Sequence, residues 1–147
     1  MGAEVSTVAV GYVRVATGSA RKREESVYLQ RQAILRYAQI RSIRIARFFA
    51  DHDCVEDIAI RQGLSDAMEC IETEKAGLLM VGDITRLSRS MDDCMSFIDR
   101  HQFITNGPGL ILVRERIDTR TASGRLLLCT MQNFVHTASC VDEGGAP

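Results

Sequence analysis

Strand-like and helix-like patterns of apolar residues alternate along the chain. The strand patterns, which are short apolar runs or strict alternation, cover residues 7 to 15, 43 to 50, 77 to 83 and 110 to 115. Helical spacing covers Glu25 to about Arg41, Gly63 to Glu74, Met91 to Gln102, and the residues after "DTRTASG". This order predicts an α/β fold of three layers: a mostly parallel sheet of four to five strands, helices on both faces and a long C-terminal helix.

The domain boundaries follow from where these patterns stop. With 147 residues the chain has the length of one ordinary domain, which we assign to residues 1–140. Residues 141–147, "VDEGGAP", are expected to form a flexible tail, and we expect no C-terminal DNA-binding domain. The run "RKREES", residues 21 to 26, is expected to be a charged loop before the first helix.

Composition narrows the class of protein. Apolar residues make up 46% of the chain and charged residues 25%, as in soluble globular proteins. No apolar run is long enough to cross a bilayer, so we expect a cytoplasmic protein without a membrane partner. An odd number of scattered cysteines favours reduced thiols over disulfides or a metal site. They are Cys54, Cys70, Cys94, Cys129 and Cys140.

The basic residues suggest an anionic ligand, although the net charge is −1. A net charge near zero argues against nucleic-acid binding by bulk charge alone. However, Lys22 and Lys75 are the only lysines among the 18 basic residues. The other basic residues are arginines, whose planar guanidinium groups suit bidentate contacts with phosphate.

Four arginines are predicted to meet at one edge of the sheet, where open α/β sheets bind ligands at the carboxyl ends of their strands. They are Arg14, Arg61, Arg86 and Arg89. Guanidinium groups at such short range would repel one another unless an anion lay between them, which suggests a phosphate or a phosphodiester. Simpler explanations stay open: Arg86 and Arg89 suit a solvated helix start, and Arg61 suits a loop cap.

Arg14 is harder to explain as a surface residue. Val13 and Val15 point to one face of the predicted strand, and Tyr12 and Arg14 point to the other. A charged side chain inside a strand usually has a partner. We therefore expect Arg14 to belong to a site.

Five segments together resemble one protein family. The segments "GYVRVAT", "LQRQAILRYA", "IRQGL", "TRLSRS" and "RIDTRTASGRLLL" have the order and spacing of the N-terminal catalytic domain of the serine recombinases, the resolvase and invertase group. The resemblance runs from about Val8 to Val135. It implies a resolvase-like fold and DNA strand exchange by dimers, in which a serine attacks the scissile phosphate. No metal or other cofactor is implied, because arginines supply the positive charge.

The family pattern Tyr-x-Arg-x-Ser-Thr stands here as Tyr12, Val13, Arg14, Val15, Ala16 and Thr17. The nucleophile position therefore holds Ala16, and a methyl group cannot attack phosphorus. Thr17 is predicted to point away from the site, and Ser19 lies after a mobile glycine. The resemblance also carries over further site residues. They are Gln30, Asp51, Arg61, Arg86 and Arg89, with Tyr12, Thr17, Gln30 and Asp51 in supporting roles.

Three other places depart from the family pattern. Val55 and Glu56 stand for a Ser-Gly pair, and Thr85 stands for an aspartate, although Asp83 lies two residues earlier. Ala138-Ser139 replaces a Glu-Arg pair in the last helix. Because the matched arginines are kept while a second hydroxyl and a carboxylate are lost, natural divergence explains the set better than an engineered change at Ala16 alone.

Three functions stay open at this point. The first is a recombinase-like domain without catalysis, which acts as a homodimer, as a heterodimer with an active recombinase, or by weak binding of the DNA backbone. The second is an active recombinase fragment with an introduced or bypassed Ala16. The third is an α/β domain that binds a protein or a phosphorylated ligand, although "ATGSA" lacks the spacing of a P-loop.

The last helix is the predicted dimer interface. Its apolar residues form a wide stripe, and an exposed stripe of this kind usually marks an interface. The stripe consists of Leu126, Leu127, Met131, Phe134 and Val135.

Overall fold

The computed structural model describes residues 7–15, 18–52 and 61–144, with side chains as far as Val135. Strands and helices alternate through these ranges. The elements are β1 (Thr7–Val15), α1 (Ala20–Ile40), β2 (Ile43–His52), α2 (Gln62–Thr73), β3 (Leu78–Val81), α3 (Met91–Arg100), β4 (Gly109–Leu112), β5 (Ile117–Asp118) and α4 (Ala122–Gly144). One turn of 3-10 helix, Ile84–Arg86, lies between β3 and α3.

The strands form one sheet in the order β2-β1-β3-β4-β5. The first four strands in this order are parallel, and β5 pairs antiparallel with β4. Helices connect the parallel strands, since such strands need crossover connections. The predicted α/β fold with a mostly parallel sheet is therefore confirmed.

The sheet has a separate apolar cluster on each face. On one face Ala9 and Val13 of β1 pack with Ile34 of α1. On the other face Val10 and Tyr12 belong to a larger cluster that includes residues of α2, α3 and α4. The alternation of side chains along β1 thus places Tyr12 opposite Val13, as the pattern predicts, and helices cover both faces.

Helix α1 begins earlier than predicted. The expected loop "RKREES" is helical, because α1 starts at Ala20 rather than near Glu25. Ser19 is the N-cap, and its hydroxyl accepts a hydrogen bond from the backbone N–H of Lys22 at 3.3 Å. Arginine, lysine and glutamate are good helix formers, so a charged run behind a serine cap suits an exposed first turn.

The segment predicted as a fourth strand is shorter than expected. β4 ends at Leu112, and residues 113–116 form a turn that reverses the chain into β5. Arg116 has a φ of 57°, and its N–H donates to the carbonyl of Val113 at 3.1 Å. This left-handed residue closes the turn, which apolar periodicity does not reveal.

Helix α4 is longer than predicted at both ends. It begins at Ala122, inside the segment expected to precede it, and runs to Gly144, into the expected tail. Gly124 is needed at its start, because a Cβ there would lie 2.0 Å from the carbonyl oxygen of Asp118. None of the four helices, as far as the described ranges reach, combines the length and apolarity needed to span a membrane.

Candidate active site

A crevice of about 290 Å³ opens where β1 ends, α2 begins and the loop before α3 passes. Three of the four predicted arginines line it, together with two serines and a carboxylate. The lining consists of Arg14, Arg61, Ser88, Arg89, Ser90 and Asp93. The structure therefore brings Arg14, Arg61 and Arg89 together, whereas Arg86 lies outside the lining.

Arg61 is almost fully buried, with 2% of its surface exposed. It is the N-cap residue of α2 but makes no side-chain cap bond. Its Nη1 donates to the carbonyl oxygen of Arg86 at 3.1 Å and also to that of Leu87. Arg61 therefore fixes the loop that follows β3, and its buried positive charge faces the crevice.

Arg14 is held through its backbone and its side chain. Oε1 of Gln30 on α1 accepts a hydrogen bond from the Arg14 N–H at 3.1 Å, and Nε2 of Gln30 donates to the Arg14 carbonyl at 2.9 Å. The pairing of β1 with β3 ends at Tyr12, so Gln30 supplies the bonds that a longer β3 would supply. The Arg14 Nη2 donates to the carbonyl of Thr85 at 3.0 Å.

Arg86 is absent from the crevice lining and contacts the end of β1. Its Nη1 donates to the Arg14 carbonyl at 3.2 Å. Its Nε lies 3.3 Å from Oδ2 of Asp83, at ion-pair distance but without the alignment of a hydrogen bond. Arg86 thus supports Arg14 rather than lining the crevice itself.

Asp83 supplies a carboxylate close to Thr85, the position where the family pattern has aspartate. Its Oδ1 accepts from the Thr85 N–H at 2.9 Å and from the Thr85 hydroxyl. Its other oxygen faces Arg86. A carboxylate therefore lies beside this arginine although threonine occupies the position where the family pattern has aspartate.

Tyr12 and Asp51 position the start of α2. The Tyr12 hydroxyl donates to Oδ2 of Asp51 at 2.7 Å, and Asp51 accepts from the N–H groups of Gly63 at 2.7 Å and Leu64 at 3.0 Å. Burial, and then the hydrogen bond to Asp51, raise the pKa of Tyr12 above its ordinary value. Gly63 must be glycine here, since a Cβ would lie 2.4 Å from the carbonyl oxygen of Ala50.

Two further residues hold the loop between β3 and α3. The Cys94 thiol donates to the carbonyl of Ser88 at 3.3 Å and lies 3.7 Å from that of Ile84. Burial raises the pKa of this thiol to about 11. Oε1 of Glu115 accepts from the Ile84 N–H at 3.1 Å, and partial burial raises the pKa of Glu115. Neither residue is singled out by the sequence pattern.

Ser88, Ser90 and Asp93 are crevice residues that the sequence analysis did not name. Ser88 and Ser90 lie within "TRLSRS", which was the available signal. Ser90 caps α3, and its hydroxyl accepts from the Asp93 N–H at 3.3 Å. Among the described residues, no group of histidine, cysteine, aspartate and glutamate is arranged to hold a metal ion.

Comparison with known proteins decides the family. Residues 9–139 match the family model described as Resolvase, N terminal domain. The chain belongs to the resolvase family. No curated protein sequence matches this resolvase-family domain significantly.

Two solved structures show the same fold as the resolvase-family domain. The N-terminal catalytic domain of TP901-1 integrase is 24% identical with a TM-score of 0.76, over 91% of this chain and 98% of that one. A resolvase family site-specific recombinase from Streptococcus pneumoniae is 18% identical with a TM-score of 0.66, over 96% of this chain and 100% of that one. The predicted resolvase-like fold is therefore confirmed.

Several departures of this resolvase-family domain from its family pattern fall outside the described residues. Ala16 lies between 15 and 18, as does Thr17, which matches the pattern, and Val55 and Glu56 lie between 52 and 61. Ala138-Ser139 lies within α4, but beyond the last described side chain. Their predicted roles stay predictions.

The five apolar residues predicted as a dimer interface divide between two sides of α4. Met131 and Val135 are partly buried and pack against the larger core cluster, which contains the fully buried Leu128. Leu126, Leu127 and Phe134 are 69%, 47% and 75% exposed. Part of the predicted stripe therefore packs into the domain core, and only Leu126, Leu127 and Phe134 remain as an exposed apolar row.

Proposed function

We propose that this resolvase-family domain does not cleave DNA, and that it holds a phosphodiester of DNA in its arginine crevice and works as part of a dimer. One observation carries the proposal. Arg14, Arg61 and Arg89 line one crevice at the carboxyl edge of the sheet, while alanine occupies position 16, where the family pattern has its serine.

The chemistry of the neighbouring hydroxyls supports the loss of cleavage. Attack on phosphorus needs a nucleophile held about 3 to 3.5 Å from the reacting atom and in line. Ala16 has no such group, and the hydroxyl of Ser19 already caps α1 by accepting from Lys22. In serine proteases, loss of the nucleophile costs on the order of 10⁶ in rate. A comparable loss would leave no measurable strand cleavage here.

The electrostatics of the crevice support a phosphate ligand. Arg14 and Arg61 are 8% and 2% exposed, and each donates to backbone carbonyl oxygens of the loop after β3. Positive charge in a partly desolvated crevice acts more strongly on an anion than the same charge in water. Arg89 is exposed at the rim, where a guanidinium can pair bidentately with a phosphodiester.

DNA binding through the crevice is tested by fluorescence anisotropy with a short duplex at several salt concentrations. Arg89→Gln removes one exposed rim charge without touching the internal bonds. We expect weaker binding and a salt slope that is lower by about one. Arg100→Gln, on the exposed end of α3, removes the same charge elsewhere and is the matched control. Equal behaviour of the two variants would contradict the proposed phosphate site.

Loss of catalysis is tested with supercoiled DNA and the unaltered protein. After denaturation we expect no covalent protein–DNA adduct and no nicked product. An adduct mapped to Thr17 or Ser19 would sink this part of the proposal. The Ala16→Ser variant then shows whether the nucleophile alone is missing, since an adduct formed by this variant would mean that the rest of the site is competent.

Dimerisation is tested by sedimentation velocity. The exposed row Leu126, Leu127 and Phe134 supplies the apolar surface, so Leu126→Asp is expected to shift a dimer toward monomer. Leu29→Asp on α1 introduces the same charge at a leucine that is 58% exposed, and serves as the control. A monomeric unaltered protein would contradict the homodimer and leave the mixed dimer with an active recombinase as the form to test.

A further inference from the structure

A second arginine-lined surface lies on the opposite face of the sheet from the crevice. It is a groove of about 490 Å³ between the C-terminal half of α1 and the turn 113–116. We call it the α1 groove. Its charged lining residues are Arg36, Arg41, Arg114 and Arg116. Its position on this face follows from Val113, which packs with the apolar cluster beneath α1.

The lining of the α1 groove contains four arginines and no carboxylate. Asp118 and Glu115, which flank the groove in sequence, make their hydrogen bonds outside its lining. Asp118 pairs with Arg120 at 2.8 Å. Burial alone would raise the pKa of Asp118, but the hydrogen bonds and charge of Arg120, together with the charge of Arg41, bring this pKa below its ordinary value. Glu115 turns toward the Ile84 N–H. The groove therefore keeps a concentrated positive charge in a chain whose net charge is −1.

The arginines of the α1 groove are arranged for an extended anion. All four are exposed and lie on two walls, Arg36 on α1 and Arg41 at its C-cap, and Arg114 and Arg116 on the turn. The Arg41 guanidinium lies 5.3 Å from the centre of the Tyr37 ring, which helps to hold it in place. Ile40, 74% exposed, adds an apolar contact within the same lining.

We propose that the α1 groove binds the phosphodiester backbone of duplex DNA as a second surface, separate from the crevice. Guanidinium groups on two walls can contact phosphates of one backbone, and an exposed apolar side chain in the same lining can contact a sugar. The choice of DNA as the polyanion rests on the proposed function. The charge pattern of the groove itself does not depend on any residue of the crevice.

The two walls of the α1 groove give a direct test by charge removal. The double variant Arg36→Gln/Arg114→Gln takes one guanidinium from each wall and keeps the backbone contact from the Arg114 N–H to the carbonyl of Gly82 at 2.9 Å. In anisotropy titrations of a short duplex, we expect weaker binding and a salt slope that is lower by about two. Thermal melting checks that the variant is folded.

The matched control is Arg44→Gln/Arg100→Gln, which removes two exposed arginines outside both surfaces. If the control weakens binding as much as the groove variant does, bulk charge explains the effect and the inference is wrong. Binding by the groove variant that equals that of the unaltered protein would also overturn it. A duplex RNA that binds more tightly than DNA, and loses this advantage in the groove variant, would overturn the assignment to DNA.

An NMR titration with the same DNA duplex separates this inference from the proposed function. Amide signals of residues 113–116 report on the α1 groove, and those of residues 88–90 report on the crevice. Shifts in the groove without shifts in the crevice would support the inference and contradict the proposed phosphate site. Shifts in the crevice alone would contradict the inference and support the proposed phosphate site.

Discussion

The crevice and the α1 groove use the same residue type in opposite ways. In the crevice, Arg14 and Arg61 are buried and donate to backbone carbonyls of the loop after β3. In the α1 groove, Arg36 and Arg114 are exposed to solvent. Arg14 and Arg61 therefore stabilise the fold and also place positive charge in the crevice. Arg36 and Arg114 contribute positive charge without stabilising the fold.

This difference shows why an arginine in a sequence motif does not by itself report a binding role. Arg86 belongs to the same motif as Arg89, yet it supports the end of β1 and does not line the crevice. Loss of a supporting arginine should reduce stability and binding together. Loss of a solvent-exposed arginine should reduce binding without reducing stability, and stability measurements can separate the two classes.

The largest effect is expected for Arg61→Met. The substitution leaves the carbonyls of Arg86 and Leu87 without their buried donor, so we expect the free energy of unfolding to fall by about 3 kcal/mol. Urea denaturation followed by circular dichroism measures this loss. Arg116→Met in the α1 groove is the comparison, with an expected change within about 0.5 kcal/mol. Similar losses in both variants would erase the distinction between the two surfaces.

A smaller loss is expected for Gln30→Ala. Two hydrogen bonds to the backbone of Arg14 disappear from a buried position, which should lower the free energy of unfolding by about 2 kcal/mol. Gln32→Ala, at an exposed position of α1 two residues away, should stay within about 0.5 kcal/mol of the unaltered protein. If the two variants melt alike in urea, Gln30 does not hold Arg14 as described.

Alkaline pH should weaken the loop around the crevice through Cys94. The folded state raises the pKa of this thiol to about 11 by burial, while an unfolded thiol titrates near 8.5. The stabilisation is complete below about pH 8.5 and declines as the pH rises toward 11, because the unfolded state releases its proton first. Unfolding titrations of the unaltered protein and of Cys94→Ala should therefore differ in slope over this range.

At pH 8 the same pKa leaves about one Cys94 thiol in a thousand ionised. We expect iodoacetamide to modify the half-buried Cys129 well before Cys94. Peptide mass spectrometry over time measures the two rates. Early modification of Cys94 would indicate that the loop between β3 and α3 opens readily.

The smallest effect, and one of opposite sign, is expected for Arg36→Gln. Removing one of four neighbouring guanidinium groups relieves repulsion, so the free energy of unfolding should rise by about 0.3 kcal/mol at low salt. The gain should vanish at high salt, since exposed charges are screened. A loss of stability would mean that Arg36 supports the fold as Arg61 does.

Local patterns predicted the fold well because its main determinants are local. Alternation along β1 placed Tyr12 and Val13 on opposite faces, and the apolar run around Leu78–Val81 predicted a central parallel strand. Boundaries were less predictable where a single residue decides them. Because Ser19 caps α1, the helix begins before the charged run "RKREES" and includes it. The turn closed by the left-handed Arg116 makes β4 end earlier than predicted.

The candidate site was predictable only in part, because its contacts join residues far apart in sequence. The motifs pointed to Arg14, Arg61 and Arg89, which the structure brings together. They did not reveal that Cys94 and Glu115 hold the intervening loop, since these bonds depend on the packing of α3 and of the turn after β4. The arginines of the α1 groove come from two separated segments. Arg36 and Arg116 lie within "LQRQAILRYA" and "RIDTRTASGRLLL", but the spacing of these segments does not reveal that the arginines meet.

The side chain of Gln30 gives this domain an unusual freedom to change. It bonds to both backbone groups of Arg14, so the end of β1 is held by contacts that do not use the side chain at position 16. A lineage that lost a reactive hydroxyl at position 16 would keep these contacts. Cleavage activity could then be lost while the fold is kept, and a recombinase gene could give rise to a binding domain.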